Sequence, residues 1–148
     1  NCLPLARPTQ KKLDFVLFEG WCVGLPLIST TELAAICKKN KIALQDIDPT
    51  LQQSKVVIQF TKQYQSVWKY VDYLVMLKPI SSDLHLKWRL QQENELQKKT
   101  GRGMSKNEVQ HFVRMYLPFT YPCYQKMKTD ALLTINRNHR FVTLHFRG

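Results

Sequence analysis

Glycine is scarce in this chain, five residues among 148, and no G-x-x-x-x-G-K-[ST] phosphate loop occurs anywhere in it. The chain therefore carries no sequence-readable backbone cradle for a triphosphate. No G-x-S-x-G elbow is present, and no cysteine sits beside a histidine, which argues against nucleophilic catalysis. The cysteines (Cys2, Cys22, Cys37, Cys123) form no CxxC pair and no metal-finger spacing, and the histidines (His85, His111, His139, His145) show no ligand spacing. No apolar run approaches the roughly 20 residues of a membrane span. The stretch from Asn1 to Lys12 holds prolines and no long apolar segment, so a secretory signal is not expected there. Scattered thiols without a signal fit a reducing compartment, and a cytoplasmic location is the expectation.

Acidic residues are also in short supply: 11 against 22 lysines and arginines, a net charge of +11. Such an excess suits nucleic acid, an acidic membrane surface or small anions such as phosphates and carboxylates. The basic residues are dispersed, with no block of five, whereas a nucleic-acid footprint is a clustered basic face. Small anionic ligands fit the dispersion better.

What is present reads as one α/β domain over residues 1–148, a length that buries a real core. Leu13 to Phe18 is a largely apolar run that stops at Glu19-Gly20, the pattern of a strand buried on both faces. Ligands of open α/β sheets bind at the carboxyl ends of strands, which puts Glu19 at the lip of a site; the competing reading is a solvated glutamate after a core strand. Ser29 with Glu32 is a capping box opening a helix to about Asn40. Asp48-Pro49 signals a second helix start, and Val57, Phe60, Tyr64, Val67, Trp68 and Val71 then recur at helical spacing as an expected core stripe. Tyr73 to Leu77 reads as a second buried strand. Ser82 and Asp83 open a helix to Lys99, and Thr100 to Met104 stops it with two glycines free to take positive φ. Ser105 with Glu108 caps another helix, which Pro118 is expected to kink or break before helix resumes from Thr120 to Lys128. Ala131 to Ile135 is a third strand, Asn136 to His139 a turn, and Phe141 to Phe146 an antiparallel return strand. Strands alternating with helices predict a mainly parallel, three-layer sheet. The expected subdivision is a core over 12–99, a tip over 100–104, and C-terminal helices with a hairpin over 105–148.

Three places carry candidate chemistry. Glu19-Gly20 ends the first strand. Arg89, Gln92 and Glu93 share one helix face, although Arg89 and Glu93 equally match an ordinary i,i+4 surface pair. Arg102 stands between Gly101 and Gly103 just past a long helix, as an arginine on a closing lid would; a solvated arginine beside a helix C-cap is the plain alternative.

Together, DFVLFEGWCVG, KWRLQQENEL and GRGMSKNEVQHFV resemble the C-terminal half of the P-loop small-molecule kinases related to D-glycerate 3-kinase, themselves similar to uridine kinase, phosphoribulokinase and pantothenate kinase. The resemblance covers about Leu13 to Phe146. It implies ATP-dependent phosphorylation of a small hydroxyl-bearing acceptor with Mg²⁺. It further implies that Glu19 orients the metal's water shell or the acceptor hydroxyl, that Gly20 admits the substrate to the backbone, and that Trp21 walls the acceptor pocket. Arg89 and Arg102 match the lid, where they would neutralise charge on the γ-phosphoryl group; Gln92 and Glu93 match acceptor or lid contacts. In that family a phosphate-loop strand lies between the strand ending at Glu19 and the one at Tyr73–Leu77, and this chain lacks it. An N-terminal segment, a complementary chain or direct pairing of the two strands is expected to fill the slot. An open slot is the least favoured arrangement, because buried unpaired backbone groups cost about 1–3 kcal/mol each. Without that loop the chain is expected to be inactive alone. The alternatives are a non-catalytic anion- or partner-binding module derived from a kinase half and, behind it, a nucleic-acid-binding protein.

Overall fold

The computed structural model describes residues 12–146; the N-terminal stretch read above lies, up to residue 11, outside the described residues. The elements are α1 (Thr30–Lys39), α2 (Leu44–Ile47), α3 (Gln52–Trp68), β1 (Val75–Pro79), α4 (Leu84–Thr100), α5 (Lys106–Lys126), β2 (Ala131–Ile135) and β3 (Phe141–Phe146). Both serine capping boxes form. Ser29 and Glu32 exchange hydrogen bonds at the start of α1, and Ser105 and Glu108 do the same for α5.

The sheet runs β1-β2-β3. β1 and β2 are parallel, Val75 opposite Ala131 and Pro79 opposite Ile135, with α4 and α5 forming the crossover. β3 returns antiparallel through a turn in which the Asn136 side chain accepts from Asn138 and Arg140 N–H groups and His139 takes φ +58°. The sheet among the described residues is therefore mixed, one parallel and one antiparallel pairing, where the sequence pattern predicts a mainly parallel one.

The expected first strand is not formed. Leu13 to Phe18 belongs to no sheet, and its side chains stand in solvent, Phe15 at 93% and Leu17 at 94% exposure. β1 pairs only with β2 among the described residues, so direct pairing with the Leu13–Phe18 run does not occur and the slot is open. The objection to an open slot rests on burial; here the flanking segments face solvent, where water satisfies their backbone groups.

The core joins the Leu25–Ile28 loop, α1, β1 and the last turns of α5: Leu25, Ile28, Leu33, Cys37, Leu44, Met76, Phe119, Cys123 and Met127. Helix α5 runs unbroken through Pro118 and Pro122, contrary to the expected break. Each proline removes one helical hydrogen bond, but both rings are fully buried, and their packing offsets that loss.

Helix α3 departs most from its pattern. Its start lies at Gln52, after Leu51 in the left-handed region, and not at Pro49. Asp48 still acts as a cap at a distance, its carboxylate accepting the Ser54 N–H at 2.7 Å. Burial pushes that carboxyl upward, but the Ser54 amide and hydroxyl and the Gln53 and Gln52 amides outweigh it and hold it below its ordinary value. The expected core stripe is turned outward: Val57, Phe60, Tyr64 and Val67 are exposed, whereas Ser54 and Thr61 are buried. The helix is held instead by polar contacts, Gln65 Nε2 and Trp68 Nε1 both donating to the Leu25 carbonyl at 3.0 and 3.1 Å.

Candidate active site

The carboxyl end of the Leu13–Phe18 segment is fixed by the residues that follow it. Trp21 donates its indole N–H to Thr120 Oγ1 at 3.0 Å and meets the Tyr116 ring edge-on at 4.7 Å. Cys22, at φ +62°, sits against α5 with its sulfur 3.3 Å from Cys123 Sγ. The Cys123 thiol and burial raise the Cys22 pKa well above the ordinary thiol value, so it is a poor nucleophile. Gly24 takes φ +82° beside Leu74 and Met127, a conformation and a space that suit glycine alone.

Thr120 and Tyr116 stand one helical turn apart on α5, and Phe112 one turn further, its ring 4.6 Å from that of Tyr116. Over Phe112 lies the Arg89 guanidinium, 4.9 Å from the ring centroid. Arg89 in turn pairs with Glu93 at 2.9 Å and makes a long contact, 3.4 Å, to Gln92 Oε1. Glu93 is buried, and its second oxygen accepts the Met104 N–H at 2.8 Å. An unbroken series of contacts thus joins Trp21 through Tyr116, Phe112, Arg89 and Glu93 to the tip. Phe112 and Tyr116 were legible in the sequence only as the apolar period of a helix; nothing in it placed Trp21 on the same face.

The tip is more ordered than two free glycines suggest. Gly101 alone takes positive φ, +69°, as the α4 C-cap. Gly103 is required for closeness instead: a Cβ there would meet Gln97 Cγ at 2.7 Å and Glu93 Oε1 at 3.0 Å. Gln97 donates to the Met104 carbonyl at 2.8 Å, so both backbone polar groups of Met104 are held by α4. Thr100 Oγ1 accepts the Arg102 N–H at 3.2 Å, and its one proton is shared between the Leu96 carbonyl at 2.9 Å and the Arg102 carbonyl at 3.0 Å. The Arg102 residue itself is exposed, as are Glu19 and Gln92. Of the expected site residues, Trp21, Arg89, Gln92 and Glu93 are linked by contact; Glu19 and Gly20 are carried by the anchored Trp21, and Arg102 by the clamped tip.

No three of the described His, Cys, Asp and Glu residues gather as a metal site. Glu19 is a single exposed carboxylate, so the described residues do not by themselves form a cradle for Mg²⁺ and a triphosphate. A cavity of about 630 Å³ lies on the far side of α5, lined by Asn40, Lys41, His111, Arg114 and Tyr121 among others, and contains none of the expected site residues.

These elements define an α/β fold, and comparison with known proteins shows its likeness to kinases. The chain is 33% identical over 113 residues to the chloroplastic D-glycerate 3-kinase of Arabidopsis thaliana and 32% identical over 112 residues to the uncharacterized kinase mug58 of Schizosaccharomyces pombe. Both alignments cover 76% of this chain, but only 22% and 39% of the respective relatives. A solved D-glycerate 3-kinase from Cryptococcus neoformans var. grubii superposes with a TM-score of 0.73 at 26% identity, covering 94% of this chain and 52% of that one. The YGR205w protein superposes with a TM-score of 0.58 at 22% identity, covering 86% of this chain and 46% of that one, a likeness of fold. No protein-family profile matches. The chain is a partial glycerate kinase-like relative, spanning well under half the length of the curated proteins it matches. Three of these four proteins are kinases by name.

Proposed function

We propose that this chain is the lid- and acceptor-side part, corresponding to the C-terminal half, of an ATP-dependent phosphotransferase acting on a small hydroxyl-bearing acceptor. D-glycerate, named for two of its relatives, is the first compound to try. The contact series from Trp21 to Met104 carries the reading, because it gathers onto one face of α5 the residues that a kinase of this kind would present to acceptor and phosphoryl group. Glu19 would orient the acceptor hydroxyl or a metal-bound water. Trp21 would wall the acceptor, Gly20 would let it approach the backbone, and Gln92 would face it. Arg89 and Arg102 would neutralise phosphoryl charge, the dominant task in such transfers.

Phosphate positioning comes from elsewhere on this reading: an N-terminal segment or complementary chain adds the phosphate-loop strand in the slot beside β1, and with it ATP and Mg²⁺. The exposed Leu13–Phe18 run and the outward Val75 and Leu77 support that arrangement. No described helix is long and apolar enough to cross a membrane; cytoplasmic placement is part of the proposal, although one relative is chloroplastic by name.

The test is ATP consumption with D-glycerate and other small hydroxy acids, by this polypeptide alone and by a form extended upstream to include a Gly-Lys-Ser loop. No turnover is expected from the first and acceptor-dependent turnover from the second. Robust turnover by the polypeptide alone would overturn the reading. One observation favours a non-catalytic anion- or partner-binding module instead: Arg89 is already engaged by a buried carboxylate. That module would bind its ligand without metal-dependent chemistry. A nucleic-acid-binding role, less favoured, would show affinity falling steeply with salt.

A further inference from the structure

One carboxylate touches Arg89 directly and the tip that carries Arg102 through Met104. Glu93 Oε2 pairs with Arg89 Nη2 at 2.9 Å, and Glu93 Oε1 accepts the Met104 N–H at 2.8 Å, two residues beyond Arg102. Its side chain is only 5% exposed, against 32% for Arg89. Burying a carboxylate to this extent costs free energy unless both oxygens are engaged. Gln97, one turn along α4, takes the carbonyl side of Met104, and the absence of a side chain at Gly103 lets the backbone of the tip lie against both. Arg89 Nε is buried without a partner, so its guanidinium is oriented by Glu93, the weak Gln92 contact and the Phe112 ring.

We propose that Glu93 is a positioning residue, which sets the Arg89 guanidinium and the Gly101–Met104 tip relative to one another, and not an acceptor-binding residue. The inference rests on the phosphotransfer reading for its functional meaning, while its structural content stands apart. Hydrogen exchange on this polypeptide separates the two. Glu93→Ala should speed exchange at the Met104 amide by about tenfold or more, as expected for losing a hydrogen bond to a charged acceptor, and increase tryptic cleavage after Arg102. Amides in the middle of α1 and β2 should not follow. Glu93→Gln keeps an acceptor for Met104 and should retain most of that protection, yet shift the Arg89 Nε–H resonance by removing the charge that holds the guanidinium.

Unchanged Met104 exchange in Glu93→Ala, or a rise shared equally by every helix and strand, overturns the proposal. In the form extended to include a phosphate loop, Glu93→Gln should lower kcat with the acceptor KM nearly unchanged; a raised acceptor KM at constant kcat would mean that Glu93 touches the acceptor, and also overturns it. If the parent extended form shows no turnover, the phosphotransfer reading falls, and the exchange result still decides whether Glu93 positions the tip.

Discussion

Trp21 anchors the segment that carries Glu19, and the strength of that anchor can be measured by a double-mutant cycle with Thr120. Trp21 is half exposed and Thr120 is 8% exposed, so the bond between them is partly shielded from water. A neutral hydrogen bond of this kind contributes about 0.5–1.5 kcal/mol. Trp21→Phe removes the donor and trims the edge contact to Tyr116, itself worth about 0.5–1.5 kcal/mol. Thr120→Val removes the acceptor and also the bond from Thr120 Oγ1 to the Tyr116 carbonyl at 3.0 Å. That second loss and the trimmed ring contact appear in the single variants and largely cancel in the cycle. The double variant should therefore be less destabilised than the sum of the singles by about 1 kcal/mol. Urea unfolding followed by far-ultraviolet circular dichroism gives the four stabilities without relying on tryptophan fluorescence. Additivity within about 0.3 kcal/mol would show that Trp21 is not held on α5, and the common face argued for the site would be lost.

Two further outcomes are specific. Gly24→Ala places a Cβ 2.6 Å from Leu74 Cδ2 at φ +82°, whereas Gly101→Ala at φ +69° meets nothing within 4 Å; the first should cost about 2–4 kcal/mol through backbone strain plus overpacking and the second only about 1, and equal urea midpoints would refute the packing around Gly24. The Lys126 ammonium, then the Ser29 amide and hydroxyl, lower the Glu32 carboxyl from its ordinary 4.5 to about 2. A carboxyl depressed in the fold stabilises it above pH 4.5 and loses that contribution as pH falls towards about 2. Lys126→Met should flatten the pH dependence of stability across that window; an unchanged slope would remove the pair from the account.

Signals confined to a few neighbouring residues were legible in the sequence. Ser29 with Glu32 and Ser105 with Glu108 start helices where their side chains predict, because a capping box is completed within four residues. β2, its turn and β3 follow from alternation and turn chemistry for the same reason. Longer-range signals failed where burial had to be inferred. Pro118 reads as a breaker until the core beneath it is known, Gly103 reads as a flexible position until Glu93 and Gln97 are seen against it, and Glu93 reads as a surface ion-pair partner until its second oxygen is found on Met104. The candidate site was legible as a set of residue types, not as an assembly. The contacts of Trp21 and Arg89 with α5 link residues far apart in sequence, and no period records them.

The failures at Leu13–Phe18 and along α3 share one cause. An apolar run or stripe reads as buried, yet three such surfaces stay exposed together among the described residues: Phe15 and Leu17, Val57 with Phe60 and Tyr64, and Val75 with Leu77 on the free edge of β1. Exposed apolar strand edges invite indiscriminate pairing, and folds ordinarily cover them. Phe18 and Tyr64 both lie against Trp68, at 6.4 and 5.7 Å, so the first two surfaces already meet. One added strand beside β1, with the helix that follows a phosphate loop, would cover them in a single step and bring the triphosphate cradle to the carboxyl edge where Glu19 ends. On the proposed reading that one element would account both for the exposed surface and for the chemistry the described residues lack, and a covering that left Leu13–Phe18 unpaired would account for neither.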